Sequence, residues 1–275
     1  MRFEDFARIH GLIINSLQYD KWIRVPTTDH PHKRNGAYIF SGNRGAVQNW
    51  ATMDKPALWK AEGEISLPPE HYREKSRALD ERQRLADKAA SRAGWIMHQT
   101  KNDIHPYLIK KGFPEEETPV WFKDDKKLMV IPMRISGKLV GCQLIDEQGV
   151  KKFLHGQRTK GASFVIDAKG TPIFCEGYAT ALSVRAAMKA MKVRYVIHVC
   201  FSAGNMKDVA QRIPGGIVVA DNDPNGVGEK VARDTGKPYW LSETVGEDFN
   251  DYHVRAGSFK ASQSLKKVLF LRPGP

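Results

Sequence analysis

The sequence predicts an α/β protein in which a central parallel β-sheet is flanked by helices and preceded by two smaller segments. Short apolar, β-branched runs alternate with helical patterns across residues 167–265, and this order is typical of a parallel sheet. Strand-like runs separated by Gly in residues 101–166 are typical of hairpins. With 275 residues and 41% hydrophobic content, the chain is long enough for two or three units with buried cores.

Residues 1–65 predict an N-terminal β-rich module. Apolar residues recur with helical spacing from Phe3 to Leu17, and two short strands at 37–40 and 46–50 flank a Gly-rich turn. The segment contains no Cys, so we expect no zinc site despite His30 and His32. Exposed Arg and Trp side chains here would suit binding of single-stranded nucleic acid, whereas buried ones would form the module's core, and the sequence leaves both open.

A helical connector, residues 66–100, precedes a basic mixed α/β subdomain at residues 101–166. Its strong charge and few apolar residues predict a long helix with a solvated face. The subdomain should contain a short helix at 105–112, strands at 128–133 and 139–145, and a further strand at 152–154.

Basic residues accumulate near the end of this subdomain, and alternate members could share one face of a sheet. A phosphate-contacting surface and a solvated sheet edge are both consistent with them. They are Lys151, Lys152, His155, Arg158 and Lys160.

Residues 167–265 predict four strands and three intervening helices. The strand ends place acidic residues together, because sites in parallel sheets gather at the carboxyl ends of the strands. The strands are expected at 171–175, 195–200, 217–220 and 238–241, with helices at 179–191, 206–213 and 227–234, followed by a basic tail at 266–275.

The acidic residues predict a divalent metal site. Asp221 and Asp223 follow a buried strand directly, and Glu176 follows another. Carboxylates this close repel one another unless a cation lies between them, and Mg2+ or Mn2+ suits oxygen ligands. Asp248 and Asp251 supply further carboxylates near the same edge. The alternative is a polar loop stabilised by an Asx-turn.

Charge distribution favours a polyanionic ligand. Residues 167–265 contain 12 Lys/Arg and 11 Asp/Glu, whereas the remainder contains 31 and 20. Positive segments around an acidic centre suit a nucleic acid guided to a metal site, although a generally basic protein would show the same excess.

Cys142, Cys175 and Cys200 each lie in apolar stretches without metal-site spacing, so we expect buried free thiols. No apolar run reaches the roughly 18 residues that a membrane span needs, and the N-terminus lacks a signal-peptide pattern. We therefore expect a cytoplasmic protein with no membrane partner.

Three motifs resemble the Toprim domain of bacterial-type primases, topoisomerases and some nucleases. They are Ile173-Phe174-Cys175-Glu176-Gly177, Val218-Val219-Ala220-Asp221-Asn222-Asp223 and Gly246-Glu247-Asp248-Phe249-Asn250-Asp251. Upstream, residues 128–134 and 152–154 are similar to the basic subdomain of replicative primases. The likeness covers about residues 101–265 and is greatest to Toprim primases of phages and conjugative plasmids.

The resemblance implies a DNA primase that synthesises short RNA primers on single-stranded DNA by nucleotidyl transfer. Glu176, Asp221 and Asp223 would be catalytic and bind Mg2+ or Mn2+, with Asp248 and Asp251 as further metal ligands. Arg134 and Lys152 match basic positions near nucleotide or template. Together with the basic run, the nucleotide- and template-binding set is Arg134, Lys151, Lys152, Arg158 and Lys160. The implied partners are ribonucleoside triphosphates and a separate replicative helicase. The resemblance implies a protein of the bacterial cell, with a phage or plasmid as one source of the gene.

Two departures from the family keep other functions open. Thr180 lies where cellular primases often have a carboxylate, and the N-terminal module has no zinc-binding cysteines. A metal-dependent Toprim nuclease would use the same carboxylates with water as the nucleophile. A non-catalytic primase-like protein would bind single-stranded DNA or a helicase.

Overall fold

The structure is a computed structural model that describes residues 1–63, 69–167 and 169–270. The chain divides into two compact units, one from Met1 to Glu81 and the other from Arg82 onward. The helices are α1 (Phe3–Ile9), α2 (Pro69–His98), α3 (Pro106–Lys110), α4 (Tyr178–Ala190), α5 (Ala203–Ala210), α6 (Val227–Asp234), α7 (Phe249–Ala256) and α8 (Ser258–Leu269). The strands are β1 (Ile23–Val25), β2 (Gly36–Phe40), β3 (Arg44–Asn49), β4 (Ala57–Lys60), β5 (Lys101–Ile104), β6 (Glu117–Lys123), β7 (Lys126–Ile135), β8 (Lys138–Ile145), β9 (Lys151–Phe153), β10 (Phe164–Ile166), β11 (Thr171–Cys175), β12 (Tyr195–Val199), β13 (Ile217–Val219) and β14 (Tyr239–Trp240).

The first unit contains a four-stranded antiparallel sheet, and helix α1 packs against it to form a hydrophobic core. The strands lie in the order β1-β2-β3-β4, which confirms the two strands predicted around the Gly-rich turn. Alternate strand residues, including Tyr38 and Trp59, pack around Phe3. The helix prediction to Leu17 was wrong, because α1 ends at Ile9 and Gly11 takes a left-handed conformation with φ of +76°.

The second unit contains an antiparallel sheet that follows helix α2, with strands in the order β5-β6-β7-β8-β9. The three strands predicted in this segment are confirmed, as is the short helix. Strands β5 and β6 were not predicted, because the acidic run before Thr118 and the Pro at 119 are typical of loops. The charged helix α2 is confirmed, and near its end Ala93 and Ile96 pack against this sheet.

The second sheet carries the acidic motifs, with strands in the order β10-β12-β11-β13-β14. All neighbours are parallel except β10, which pairs antiparallel with β12, and this confirms the predicted parallel sheet. Apolar residues from α4, α7 and α8 pack on one face, and residues of α5 and α6 pack on the other. The sequence did not predict α7 or α8. Residues 266–269 of the expected tail are the last residues of α8, and residues 271–275 lie outside the described residues.

One hydrophobic core joins the two sheets of the second unit. Met129, Ile131 and Met133 of β7 belong to the same buried cluster as Ile173 of β11 and Leu182 of α4. The basic segment is therefore fixed relative to the parallel sheet. The finer division of the chain into five segments stays a prediction.

The three cysteines, Cys142, Cys175 and Cys200, are free and buried, as expected. Within the described ranges, no helix combines the length and apolar character needed to cross a membrane.

Candidate active site

Strand β13 delivers Asp221 and Asp223 to the carboxyl edge of the parallel sheet. Its residues are buried on both faces, which explains the uninterrupted apolar run Ile217-Val218-Val219. The Ala220 amide still donates to Trp240 O at 3.0 Å, so sheet pairing extends to the residue before Asp221. The two carboxylates therefore leave a well-anchored strand end.

Asn222 fixes the loop between the two aspartates. Its side-chain amide donates to Ser242 O at 2.9 Å, and its carbonyl accepts from the Gly246 amide at 2.6 Å. Both bonds tie residue 222 to the segment after β14, which also contains Asp248. The loop that carries Asp221 and Asp223 is thereby fixed to the segment that precedes Asp248.

Helix α6 packs directly on the backbone of Asp221. A Cβ placed on Gly228 would lie only 2.0 Å from the Asp221 carbonyl oxygen, so only glycine fits there without displacing the strand end. The carboxylate position thus depends on a residue seven positions further along the chain.

Glu176 follows β11 at the neighbouring strand end. The Phe201 amide donates to its carbonyl oxygen at 2.8 Å, which ties it to the end of β12. Burial and the charge of Asp223 raise the pKa of the Glu176 carboxyl, while Lys151 and a hydrogen bond from the Ala203 amide lower it.

Asp221 is the electrostatic centre of the site. Burial raises its pKa to about 7, the charges of Glu176, Asp248 and Asp223 add to the rise, and Lys151 opposes it. Among the described residues, Asp221 Oδ1 is one of few buried side-chain oxygens with no hydrogen-bond partner. A buried, unpartnered oxygen among like charges is a position that a bound cation would stabilise.

Lys151 is the predicted basic residue that reaches the carboxylates. Its Nζ lies 3.8 Å from where a Cβ on Gly177 would stand, beside the start of α4. Residues alternate along β9, and Phe153, two positions on, contacts the Phe201 ring. Lys152 therefore belongs to the opposite face of the strand.

Two of the other predicted basic residues have partners outside the carboxylate set. Arg134 donates to Gly137 O at 3.0 Å within its own hairpin, and Lys160 forms an exposed ion pair with Asp208 at 3.7 Å. Arg158 is exposed. Their roles in nucleotide or template binding stay predictions.

Asp248 and Asp251 divide into two roles. Asp248 caps α7 by accepting the Asp251 amide at 2.8 Å, and its charge still acts on Asp221. The Asp251 carboxylate instead forms an ion pair with Lys111 at 2.9 Å, so its charge is already neutralised. Its assignment as a metal ligand stays a prediction, whereas a structural role is visible.

Sequence reasoning missed a supporting ion pair in the third motif. Glu247 is buried and accepts two hydrogen bonds from Arg255, at 2.7 and 3.0 Å, and one from Ser242. Arg255 and Ser242 hold the pKa of Glu247 below its ordinary value. This pair anchors the segment before Asp248. Glu247 lies within the third motif, but nothing in the sequence indicates that Arg255 is its partner.

The donor set suits a hard divalent cation. In the described part of the chain, no group of three or more His, Cys, Asp or Glu side chains is already arranged as a metal site. The buried Asp221 oxygen and the carboxylates of Glu176, Asp223 and Asp248, which form no ion pair among the described residues, nevertheless fit Mg2+ or Mn2+, which prefer oxygen ligands. Thr180, where the family resemblance implies a carboxylate, is buried in the first turn of α4.

Comparisons with known proteins agree with this architecture. Residues 171–258 match the family model of the Toprim domain. The matched segment contains Glu176, Asp221, Asp223 and Asp248. Toprim domains generally bind divalent metals. The chain is 26% identical over 170 residues to the DNA primase TraC of Escherichia coli, an alignment covering 56% of this chain and 16% of that protein.

Two solved structures show weaker similarity. One is a chain from a structure of the bacteriophage T7 lagging-strand DNA polymerase interacting with primase domains of two gp4 subunits bound to an RNA/DNA hybrid and dTTP. Its TM-score is 0.45 at 14% identity, with coverage of 64% of this chain and 94% of that chain. The other is the primase fragment of the bacteriophage T7 primase-helicase, with a TM-score of 0.41, 13% identity, and coverage of 60% and 69%.

Replacing Asp221 by Asn should flatten the pH dependence of stability in the absence of divalent metal. Because the folded-state pKa of about 7 exceeds the ordinary 3.8, folding of the native protein weakens as the pH rises from about 4 to 7 and then levels off. Over this pH range the native protein should lose on the order of 2–4 kcal/mol in the free energy of unfolding. The Asp221→Asn variant should not show this loss. Urea unfolding in EDTA at pH 4.5 and 8 measures it.

Asp234→Asn is the control, because Lys207 lowers the pKa of Asp234 and its removal cannot flatten this decline. Parallel curves for the native protein and Asp221→Asn would contradict the buried, unpartnered state of Asp221.

Gly228→Ala should displace Asp221 and abolish metal-dependent stabilisation. The added methyl group would meet the Asp221 carbonyl at 2.0 Å, so the strand end or helix α6 must shift. We expect the rise in melting temperature on adding Mn2+ to disappear, as measured by thermal unfolding. Gly204→Ala, in helix α5 with open space around the new Cβ, should keep the full rise. If Gly228→Ala kept the full Mn2+-dependent rise in melting temperature, the claim that α6 packing positions Asp221 for metal binding would be contradicted.

Proposed function

We propose that this protein is a DNA primase that synthesises short RNA primers on single-stranded DNA by metal-dependent nucleotidyl transfer. The observation that carries the proposal is the electrostatic coupling of Glu176, Asp221, Asp223 and Asp248, with Lys151 from the preceding sheet as their opposing charge. The Toprim match and the similarity to a plasmid primase support it. The chain spans 16% of that relative, so the activity is inferred from the site.

Glu176, Asp221 and Asp223, with Asp248, would hold Mg2+ or Mn2+. The chemistry supplied by a bound ion there would be positive charge for the incoming triphosphate and for the attacked phosphoryl group. Asp221 would be ionised when it binds, because a cation favours the charged form of a carboxylate whose pKa burial has raised.

Lys151 would contact the triphosphate from the side opposite the carboxylates. Its ammonium group acts on both Glu176 and Asp221, so it lies within electrostatic range of any phosphate bound there. The remaining basic residues, Arg134, Lys152, Arg158 and Lys160, would contact template or nucleotide further out. Ribonucleoside triphosphates and single-stranded DNA are the proposed substrates, with a separate replicative helicase as a partner in the bacterial cytoplasm.

A non-catalytic single-stranded DNA- or helicase-binding protein is the second candidate. One observation favours it: Thr180 occupies a buried position where the resemblance implies a carboxylate, so the acidic set has one member fewer. A metal-dependent nuclease would use the same acidic residues with water as the nucleophile.

The double variant Asp221→Ala/Asp223→Ala should lose primer synthesis by at least about 100-fold, because the oxygen ligands on β13 are removed. The assay combines protein, single-stranded DNA, Mg2+ or Mn2+ and labelled ribonucleotides, and resolves the products on a gel. Glu229→Ala/Asp234→Ala is the matched control. It removes two negative charges from exposed ion pairs of α6, with Arg233 and Lys207, and should retain synthesis.

Each of the other outcomes has a distinct meaning. Shortened DNA without labelled oligomers would indicate the nuclease. Bound but unchanged DNA would indicate the non-catalytic protein. Full synthesis by the Asp221→Ala/Asp223→Ala variant would refute the metal assignment.

A further inference from the structure

The sheet of the first unit has one face that packs around α1 and a second face on its other side. Tyr38, Phe40, Val47 and Trp59 point to the core around α1. The residues between them point the other way, and the strand register aligns Arg24 with Ala37 and Ala37 with Gln48 in one row across β1, β2 and β3. Ala37 and Gln48 are themselves buried, and the small side chain at position 37 leaves room between the larger side chains around them.

A cavity of about 590 Å³ lies on this second face. The residues around it come only from the first unit and are Trp22, Arg24, Asn35, Ala37, Gln48, Trp50 and Pro56. It contains two indole rings and one guanidinium group, which are the planar groups that stack on nucleobases.

The two tryptophans of the cavity do not serve the core. Trp22 is 51% exposed and Trp50 is 50% exposed, whereas Trp59 is buried and donates its Nε1–H to Met1 O at 3.1 Å. Arg24 lies over the Trp50 ring with Cζ 3.9 Å from the centroid. Large aromatic surfaces left exposed together are typical of a binding surface.

The electrostatics of this surface favour an anionic ligand. Residues 20–60 contain seven Lys/Arg and three Asp. Asp20 is paired with Lys75, and Asp29 accepts from Asn49 at 3.1 Å. Within the residues that the structure describes, no carboxylate forms an ion pair with Arg24, so its charge is available to a phosphate.

We propose that Trp22, Trp50 and Arg24 form a site that binds the unpaired bases of single-stranded DNA. The indoles stack on bases, and Arg24 contacts a base plane or the backbone phosphate beside it. As a template site the inference rests on the proposed primase function, but binding itself requires neither metal nor nucleotides. A duplex hides the faces of its bases, so the site selects single strands.

The test measures the affinity of the full chain for a fluorescein-labelled thymidine oligonucleotide by anisotropy, in EDTA without nucleotides. Trp22→Leu/Trp50→Leu should weaken binding at least about 10-fold, because leucine keeps apolar area but has no aromatic face. Trp22→Phe/Trp50→Phe should retain most of the affinity. Trp95→Leu, at a tryptophan that is 45% exposed on α2 in the second unit, is the matched control and should bind normally.

Salt dependence separates stacking from general charge attraction. The Leu variant should keep the native slope of affinity against salt, since no cation is removed, whereas Arg24→Gln should reduce the slope by about one counterion. A duplex of equal length should bind the native protein and the Leu variant equally. Competition by thymidine monophosphate as strong as by the oligonucleotide would show that the site takes a free nucleotide, which contradicts the strand proposal.

Equal oligonucleotide affinity of the native protein and the Leu variant would overturn the proposal, as would equal loss in the Leu and Phe variants. If oligonucleotide affinity is unchanged while sedimentation shows altered self-association, the surface is a protein interface. Failure of the native protein to make primers would leave these binding results intact, so the two proposals fail separately.

Discussion

The burial of Asp221 among other carboxylates is the constraint on which the site depends. A carboxylate on this strand end is partly removed from water, lies near three like charges, and has one oxygen without a hydrogen-bond partner. Such an arrangement destabilises the folded protein at neutral pH unless a cation binds. The surrounding structure maintains it through rigid packing: Asn222 anchors the loop, and Gly228 lets helix α6 press on the Asp221 backbone. The strand end therefore concentrates negative charge where a bound cation would stabilise the folded protein.

The shared core of the second unit brings a cation, Lys151, to that site. Strands β7 and β11 contribute to the same buried cluster, which fixes the basic sheet beside the acidic edge and brings Lys151 to Glu176. In the proposed function, a positive group beside the carboxylates would share the charge of a triphosphate with bound ions. The Glu247–Arg255 ion pair stabilises the third motif, because it anchors the residue directly before Asp248. Packing, not sequence proximity, assembles these parts.

Strand ends and acidic spacing could be predicted from the sequence, because β13 is a short apolar run that stops directly at Asp221. The parallel sheet followed from the alternation of strands and helices. The choice of Lys151 over Lys152 could not be predicted, because it depends on which face of β9 turns toward the parallel sheet. The exposure of Trp22 could not be predicted either, since an aromatic residue in a short β-rich segment serves equally well in a core. Long-range register decided both.

Manganese binding tests the central claim most directly. Mn2+ titrated into the native protein at pH 8, followed by electron paramagnetic resonance of the free ion, reports binding without requiring synthesis, template or nucleotide. Saturable binding that is weakened at least about 10-fold by Asp221→Asn, and is unaffected by Asp234→Asn, is the predicted result. Equal Mn2+ affinity in the native protein and Asp221→Asn would contradict the claim that the buried aspartate and its neighbours form a cation site.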